Sequence, residues 1–459
     1  MGSLVIPTWL SQAGCVAIVG MGREGQSTYA FLRARFPTLG FNLYDEGWTA
    51  ELLERFGKDE LSTVYSGPLE SHKIQGSIVF KTPGIKPEKL ICENPTAQRM
   101  TSQADVFFEL FGSQIIAVTG TKGKSTTSHL IAHVLRECGE TVLLVGNIGE
   151  PMLDCVDAIT PKTQIVVETS SFQAQTIHHG PKISVFLNLF PEHLDYYQTI
   201  QDYLLAKRNL FATQKATDIC IYSMDQEPVI AAVTPLPPEK IGITAQVDYQ
   251  VQARARALKD GLYWQGEKIV DRSMISLKGQ HNVFNCLPAL VIAKLLGYSN
   301  EQIQAAFISA KPLPGRLEPV ATINEITFFD DALATIPEAT IAALNALGSS
   351  VQTLIVGGHE RKQEFDALAD AIAASSVQTL LYFPTTGSRI AEAVASRKQI
   401  QTIAVASMQE AVDAAFTATP KGASVLLSTA SPSFGLFKDY RDRSTQYLQC
   451  IHSHVPDHS

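Results

Sequence analysis

Charge is scarce in this chain, and what there is leans acidic. Charged residues make up 18% of the 459 residues, and 45 Asp and Glu outnumber 37 Lys and Arg, for a formal net charge of −8. That balance excludes a sustained basic face for nucleic acid, while leaving room for a local pocket that takes a small anion. Long apolar runs are missing too: none approaches the roughly 18 residues of a membrane span. The start of the chain lacks a basic stretch followed by an apolar one, so a cytoplasmic protein without a membrane partner is expected. Cysteine is sparse and unpatterned. The seven, at 15, 92, 138, 155, 220, 286 and 450, form no C-x-x-C pair and are odd in number, which reads as scattered reduced thiols. Internal repeats and low-complexity segments are absent. What remains is a chain 45% hydrophobic, long enough for two to four packed domains.

Three blocks follow from the strand and helix signals. The first opens with "CVAIVGMGREGQSTYAFLRARF". An apolar strand runs into Gly20-x-Gly22-x-x-Gly25 and then a helical stretch, and Asp45 ends another apolar run twenty residues past Gly25. This is the context of a dinucleotide fingerprint. "SIVFKTPGIKP" adds a strand and a turn at Pro83-Gly84, and the block ends near 106. The second block begins with "SQIIAVTGTKGKSTTSHLIAHVL" and adds the buried-strand candidates "QIVVETSS" and "ISVFLNLF", with a helix near 286–296. The third starts at "KPLPGRLEPV", where Pro312 and Pro314 suggest a linker. Beyond it "TLIVGG", "TLLYFP", "TIAVA" and "SVLLSTA" alternate with helical patterns. The expectation is an α/β chain of three domains: 1–106, 107–312 and 313–459.

The chemistry gathers at strand ends. In "AVTGTKGKSTT" the Gly-Lys-Ser of a phosphate loop is in place, but Val118 holds the position of the usual first glycine and Gly120 stands two residues later. Gly120 and Gly123 permit a tight turn, with Thr121 and Lys122 between them. Backbone N–H groups and the helix N-terminus that follows can hold phosphate. Lys124 can neutralise the outer phosphates, and Ser125 or Thr126 can bind Mg²⁺. Glu168 ends an apolar strand and can hold Mg²⁺ directly or through water. His193 follows the strand ending near Asn188. Lys207, in "YLLAKRNLF", reads on its residues alone as an exposed helical lysine. Asn282 and Asn285 lie three apart on one helix face, as paired amides suited to a nucleotide. Asp330 and Asp331 follow one strand of the third block; Ser431 and Ser433 follow another and can bind a small carboxylate.

In this order, these pieces resemble the Mur ligases, ATP-dependent amide-bond ligases that build the peptidoglycan peptide. G-T-x-G-K-S-T-T is similar to that family's phosphate loop, its missing first glycine included. "GNIGEP", "ETSSFQ", "H-x-D-x-Y", "AK", "GQHNxxN" and "LPxRLE" resemble the glutamate-adding members, which act on UDP-N-acetylmuramoyl-L-alanine. The resemblance implies a Rossmann-like N-terminal domain, a central P-loop ATPase domain and a Rossmann-like C-terminal domain. It implies that the first domain binds the UDP part of the acceptor rather than NAD, through Gly22, Glu24, Asp45, Thr82 and Gly84, with Asn147, Ser170 and Gln173 nearby. It further implies that Glu168 and His193 ligate a second Mg²⁺ with a carbamylated Lys207. Lys124 would bind the γ-phosphate, and Ser125 or Thr126 the first Mg²⁺. Asn282, Arg316 and Asp331 would hold the adenine nucleotide. The implied reaction runs through an acyl phosphate in a protein that acts as a monomer.

Around the incoming amino acid the chain departs from that pattern. Where the D-glutamate-adding members have D-S-K-A-T-N, this chain has "DALATIP": Leu333 replaces the lysine, Thr335 is kept and Pro337 sits just beyond. Arg361 matches the lysine expected after the Gly-Gly strand and can grip a carboxylate through two bonds. Ser433 is kept, and Tyr440 stands at the usual aromatic position. These departures resemble a divergent branch that adds L-glutamate, so D-glutamate, the family default, and L-glutamate both stay open. A nicotinamide-dependent oxidoreductase would explain Gly22 and Asp45 but not Lys124. A P-loop switch would explain the loop alone. A folylpolyglutamate synthase would share the central domain without the Gly-rich domain in front.

Overall fold

The computed structural model describes residues 6–93, 99–246, 252–361, 363–433 and 435–454. They form two compact units, Met1–Ile275 with Val283–Ser309, and Ser276–Asn282 with Ala310–Ser459. The expected α/β alternation is what forms. Among the described residues no helix is long and apolar enough to cross a membrane.

The first unit carries two large sheets. One is five-stranded and parallel, in the order Ser62–Ser66, Gly40–Asp45, Cys15–Val19, Ile78–Lys81 and Arg99–Thr101. The other has nine strands. Its parallel part runs Ala255–Leu258, Glu239–Thr244, Ile219–Ser223, Ile183–Phe186, Ile115–Thr119, Gln164–Glu168 and Val142–Gly146. Strands such as Ile115–Thr119 and Ile183–Phe186 are buried at every position, which is why they read as continuous apolar runs rather than alternations. One hydrophobic core extends from Val16 and Ile18 of the first sheet through Phe107 and Phe108 to Ile165 and Phe186 of the second. Helix Gln103–Phe111 is the element between them, so residue 106 falls inside a helix. Its Gln103 is fully used: Nε2 donates to Ser27 Oγ at 2.9 Å and Oε1 accepts from Met152 N at 3.0 Å.

The strand signals do not reveal the antiparallel edge of the nine-stranded sheet, where Gly261–Trp264 pairs with both Ala255–Leu258 and Glu267–Asp271. These strands are short and half polar. The available signal is the turn Gln265-Gly266, where both residues have positive φ (48° and 92°), as a two-residue hairpin requires.

The second unit is built on six strands ordered Glu318–Ile323, Ile326–Asp330, Ser424–Leu427, Val351–Val356, Thr379–Tyr382 and Gln401–Ala404. All pairs are parallel except the first, a hairpin turning at Asn324-Glu325. Strand alternation sorts its core onto two faces: Leu354, Val356, Leu380 and Leu426 on one, Ile355, Leu381, Val425 and Leu427 on the other.

Candidate active site

Strands Ile183–Phe186, Ile115–Thr119 and Gln164–Glu168 are neighbours in that order, so three loops leave one sheet edge side by side. Carboxyl edges of parallel sheets are where α/β proteins hold ligands. The middle loop, Gly120–Gly123, enters helix Lys124–Glu137. Gly123 has φ +85°, and a Cβ there would stand 2.5 Å from Asn285 Oδ1; Gly120 has φ +149°, and its Cβ would stand 3.0 Å from Leu187 Cβ. The turn therefore begins at Gly120. Val118, at the position of the usual first glycine, is still inside the buried strand. The buried amide of Asn285 packs against the loop's last residue.

Asn188 belongs to no motif legible in the sequence. Its Oδ1 accepts from the backbone N–H groups of Thr121 (3.1 Å) and Lys122 (2.8 Å), and its Nδ2 donates to Lys122 O (3.0 Å). It pins the first half of the loop. Lys124 Nζ reaches back to the carbonyls of Gly120 (3.0 Å) and Thr121 (2.8 Å). Ser125 and Thr126 lie in the first helical turn, and Lys122 pairs with Glu192 at 2.8 Å.

Glu168 is 1% exposed, in register with Val118. Its Oε1 accepts from Asn147 Nδ2 at 2.9 Å, while Oε2 has no hydrogen-bond partner among the described residues. A buried carboxylate oxygen left unsatisfied is costly. Lys207, which its own residues place on an exposed helix face, is buried to 1% on helix Ile200–Ala212. Its Nζ donates to Gly120 O at 2.9 Å and lies 4.4 Å from the centroid of the Tyr203 ring, one turn earlier. No carboxylate forms an ion pair with it among the described residues, and burial, reinforced by the Lys124 charge, holds its pKa well below the ordinary lysine value. His193 sits on the exposed loop after Ile183–Phe186, in left-handed backbone (φ 58°), its ring 4.9 Å from that of Phe172. Partial burial lowers its pKa, with Glu192 and Asp195 acting the other way. Among the described residues no three His, Cys, Asp or Glu side chains converge as a ready-made metal site.

Several of the residues that the resemblance assigns to the UDP part already have partners within the protein. Gly22 is the residue before helix Arg23–Arg35. Asp45 accepts from Met21 N at 2.5 Å and Gly47 N at 2.7 Å, so its carboxylate fixes the Gly-rich loop. Thr82 Oγ1 donates to Val19 O at 3.1 Å, and Gly84 takes φ +87°. Glu24 Oε1 accepts from Gln173 Nε2 at 2.8 Å, and burial raises its pKa. Gln173 also closes a capping box with Ser170 at helix Ser171–Ala174.

In the second unit, Asp331 Oδ1 accepts from Leu317 N (3.1 Å) and Oδ2 from Ser428 Oγ (2.7 Å). Burial pushes its pKa up to about 7, with Ser428 and the Arg316 charge pulling down. Arg316 Nε is buried without a hydrogen-bond partner among the described residues. Asn282 donates to Lys278 O at 2.7 Å. Thr335, Arg361 and Ser433 follow three adjacent strands, Ile326–Asp330, Val351–Val356 and Ser424–Leu427, so the topology brings their loops to one edge. Ser433 is buried and Arg361 exposed. Tyr440 opens helix Tyr440–His452.

A parallel α/β fold with a glycine-turned phosphate loop defines a nucleotide-handling protein, and comparison narrows the class. Residues 118–293 match the Mur ligase middle domain, and residues 315–431 the Mur ligase glutamate ligase domain. A UDP-N-acetylmuramoylalanine–D-glutamate ligase of Acetivibrio thermocellus is 31% identical over 95% of this chain and 96% of its own. One of Bacillus mycoides is 33% identical over 84% and 85%. The chain belongs to the Mur ligase family. Among solved structures, MurC of Thermotoga maritima aligns with TM-score 0.59 at 15% identity over 96% of this chain and 100% of that one. MurF of the same organism, solved with ADP, aligns at 0.57 and 14% over 98% and 99%. A folylpolyglutamate synthase of Mycobacterium tuberculosis covers 76% of this chain and 94% of its own, at TM-score 0.55 and 13% identity. The last three share the fold.

Proposed function

We propose that the chain is an ATP-dependent ligase that joins D-glutamate to UDP-N-acetylmuramoyl-L-alanine in peptidoglycan precursor synthesis. The observation that carries this reading is the meeting of the phosphate loop, Glu168 and Lys207 at one sheet edge, in a chain whose full-length relatives bear that name. The acceptor carboxylate attacks the γ-phosphate of ATP, giving an acyl phosphate and ADP. The glutamate amine then attacks the acyl carbon, and the tetrahedral intermediate expels phosphate.

Glu168 suits a divalent cation, since an anionic, buried oxygen without a partner is what such an ion satisfies. Glu168 and His193 would hold one Mg²⁺ and the Ser125 or Thr126 hydroxyl the other; the ions supply charge neutralisation on the phosphoryl oxygens. Two side chains fall short of a full donor set, and a carbamate on Lys207 would complete it. Burial lowers the Lys207 pKa and so favours the neutral amine, which is a nucleophile for CO₂: the N–C bond forms, a proton leaves, and a carbamate stands where a cation would repel Lys124. Lys124 holds the γ-phosphate, with Gly120, Thr121, Lys122 and Gly123 shaping the loop and Asn282, Arg316 and Asp331 taking the rest of the nucleotide. Gly22, Glu24, Asp45, Thr82 and Gly84 take the UDP part with Asn147, Ser170 and Gln173. Thr335, Arg361, Ser433 and Tyr440 take glutamate. With domain boundaries at 106 and 312, the protein would act as a cytoplasmic monomer.

The test is phosphate release from ATP with Mg²⁺ and UDP-N-acetylmuramoyl-L-alanine, with D- and L-glutamate in parallel. Release with D-glutamate is the expected result. Release with L-glutamate alone would move the chain to the divergent branch and make Leu333 and Pro337 its specificity markers; release with neither would overturn the substrate assignment.

A further inference from the structure

Arg443 has no role in the reaction as written, yet it is the largest fully buried side chain among the described residues. It sits in the first turn of helix Tyr440–His452 and points inward, under the edge where the Thr335 and Ser433 loops emerge. Its Nη1 donates to Ser431 O at 3.1 Å and its Nη2 to Ala332 O. The carboxylates of Asp330 and Asp331 act on it electrostatically, but among the described residues neither forms an ion pair with it. Burial lowers its pKa to about 10, so the guanidinium stays charged at neutral pH. A buried guanidinium spent on two carbonyls is an expensive way to gain stability alone.

The two carbonyls belong to the loops that matter. Ala332 lies between Asp331 and Thr335; Ser431 lies two residues before Ser433. A second staple joins the same loops: Thr429 Oγ1 is within reach of Ala334 O (3.3 Å) and Ser431 O (3.0 Å). Ser431 Oγ meets Thr386 Oγ1 at 2.8 Å, and His359 N donates to Pro432 O at 2.8 Å, which ties in the loop after Val351–Val356 that carries Arg361.

We propose that Arg443 is a positioning residue for the amino-acid substrate: its planar fork fixes the spacing of the Ala332 and Ser431 loops, and with it the glutamate pocket. The proposal rests on the function proposed above. Lysine keeps the charge but offers a compact ammonium in place of the fork, so it cannot hold both carbonyls in one geometry.

Arg443→Lys is therefore expected to raise KM for glutamate by about tenfold, since small misplacements of a binding group are magnified in rate, while KM for the UDP-substrate stays within about twofold. In the substrate-free chain, amide hydrogen exchange should quicken in 331–335 and 431–433. Thr429→Val, which cuts the second staple without touching the buried charge, should shift the same two readouts in the same direction, and it decides the matter should Arg443→Lys not fold. A lowered melting temperature with unchanged KM for glutamate would make Arg443 a plain stabiliser and overturn the proposal, as would equal rises in KM for all substrates. The wild-type chain alone tests the function reading, and the exchange measurement decides the staple whichever way that comes out.

Discussion

Replacing Asp331 by asparagine should flatten the pH dependence of stability in the second unit. The folded chain holds the Asp331 proton up to about pH 7, whereas an unfolded aspartate gives it up near pH 3.9. Between those values the native state binds more protons than the unfolded state, so the stability this proton contributes is fully present below about pH 4 and is lost as pH rises through about 7. At about 1.4 kcal/mol for each tenfold change, the full swing is roughly 4 kcal/mol as an upper bound. The asparagine side chain has no proton to lose and keeps an oxygen for Leu317 N. The assay is denaturant unfolding of both proteins from pH 4 to 8. The variant's stability minus that of the wild type should climb steadily, by at least about 2 kcal/mol overall. A difference that stays flat across the range would mean that Asp331 ionises normally when folded, and would refute the burial reasoning.

Gly123→Ala puts a side chain at φ +85° and 2.5 Å from Asn285 Oδ1. It should cost about 1–2 kcal/mol from backbone strain alone, seen as a lower melting temperature, and phosphate release should fall; full activity at unchanged stability would mean the loop is not held as described. Lys207→Ala should lose most activity and regain part of it with an added short-chain carboxylic acid, which replaces the carbamate's oxygens. Full activity in the uncomplemented variant would sink the metal-bridging role, and ¹³C-labelled bicarbonate provides a readout of the carbamate independent of turnover.

The sequence by itself determined the buried parallel strands and the order of the loops that follow them, though not the antiparallel edge at Gly261–Trp264 and Glu267–Asp271. Cys15–Val19, Ile115–Thr119 and Gln164–Glu168 are apolar runs bounded by turn residues, and a buried parallel strand must look that way. Gly120 and Gly123 were legible because a tight turn into a helix leaves few other residues possible. The family resemblance singled out Lys207 for the role proposed above, where its own helical neighbourhood suggested only an exposed lysine. Only the tertiary structure decided what each side chain meets: Lys207 against Gly120 O, Asn147 on Glu168, Asp45 on the Gly-rich loop, Asn188 under the phosphate loop, Arg443 between two loops. Periodicity reports which face of an element is apolar, a property of neighbours in sequence. Whether a polar group on that face is exposed or finds a buried partner depends on residues tens of positions away, brought close only when the strands take their places in the sheet.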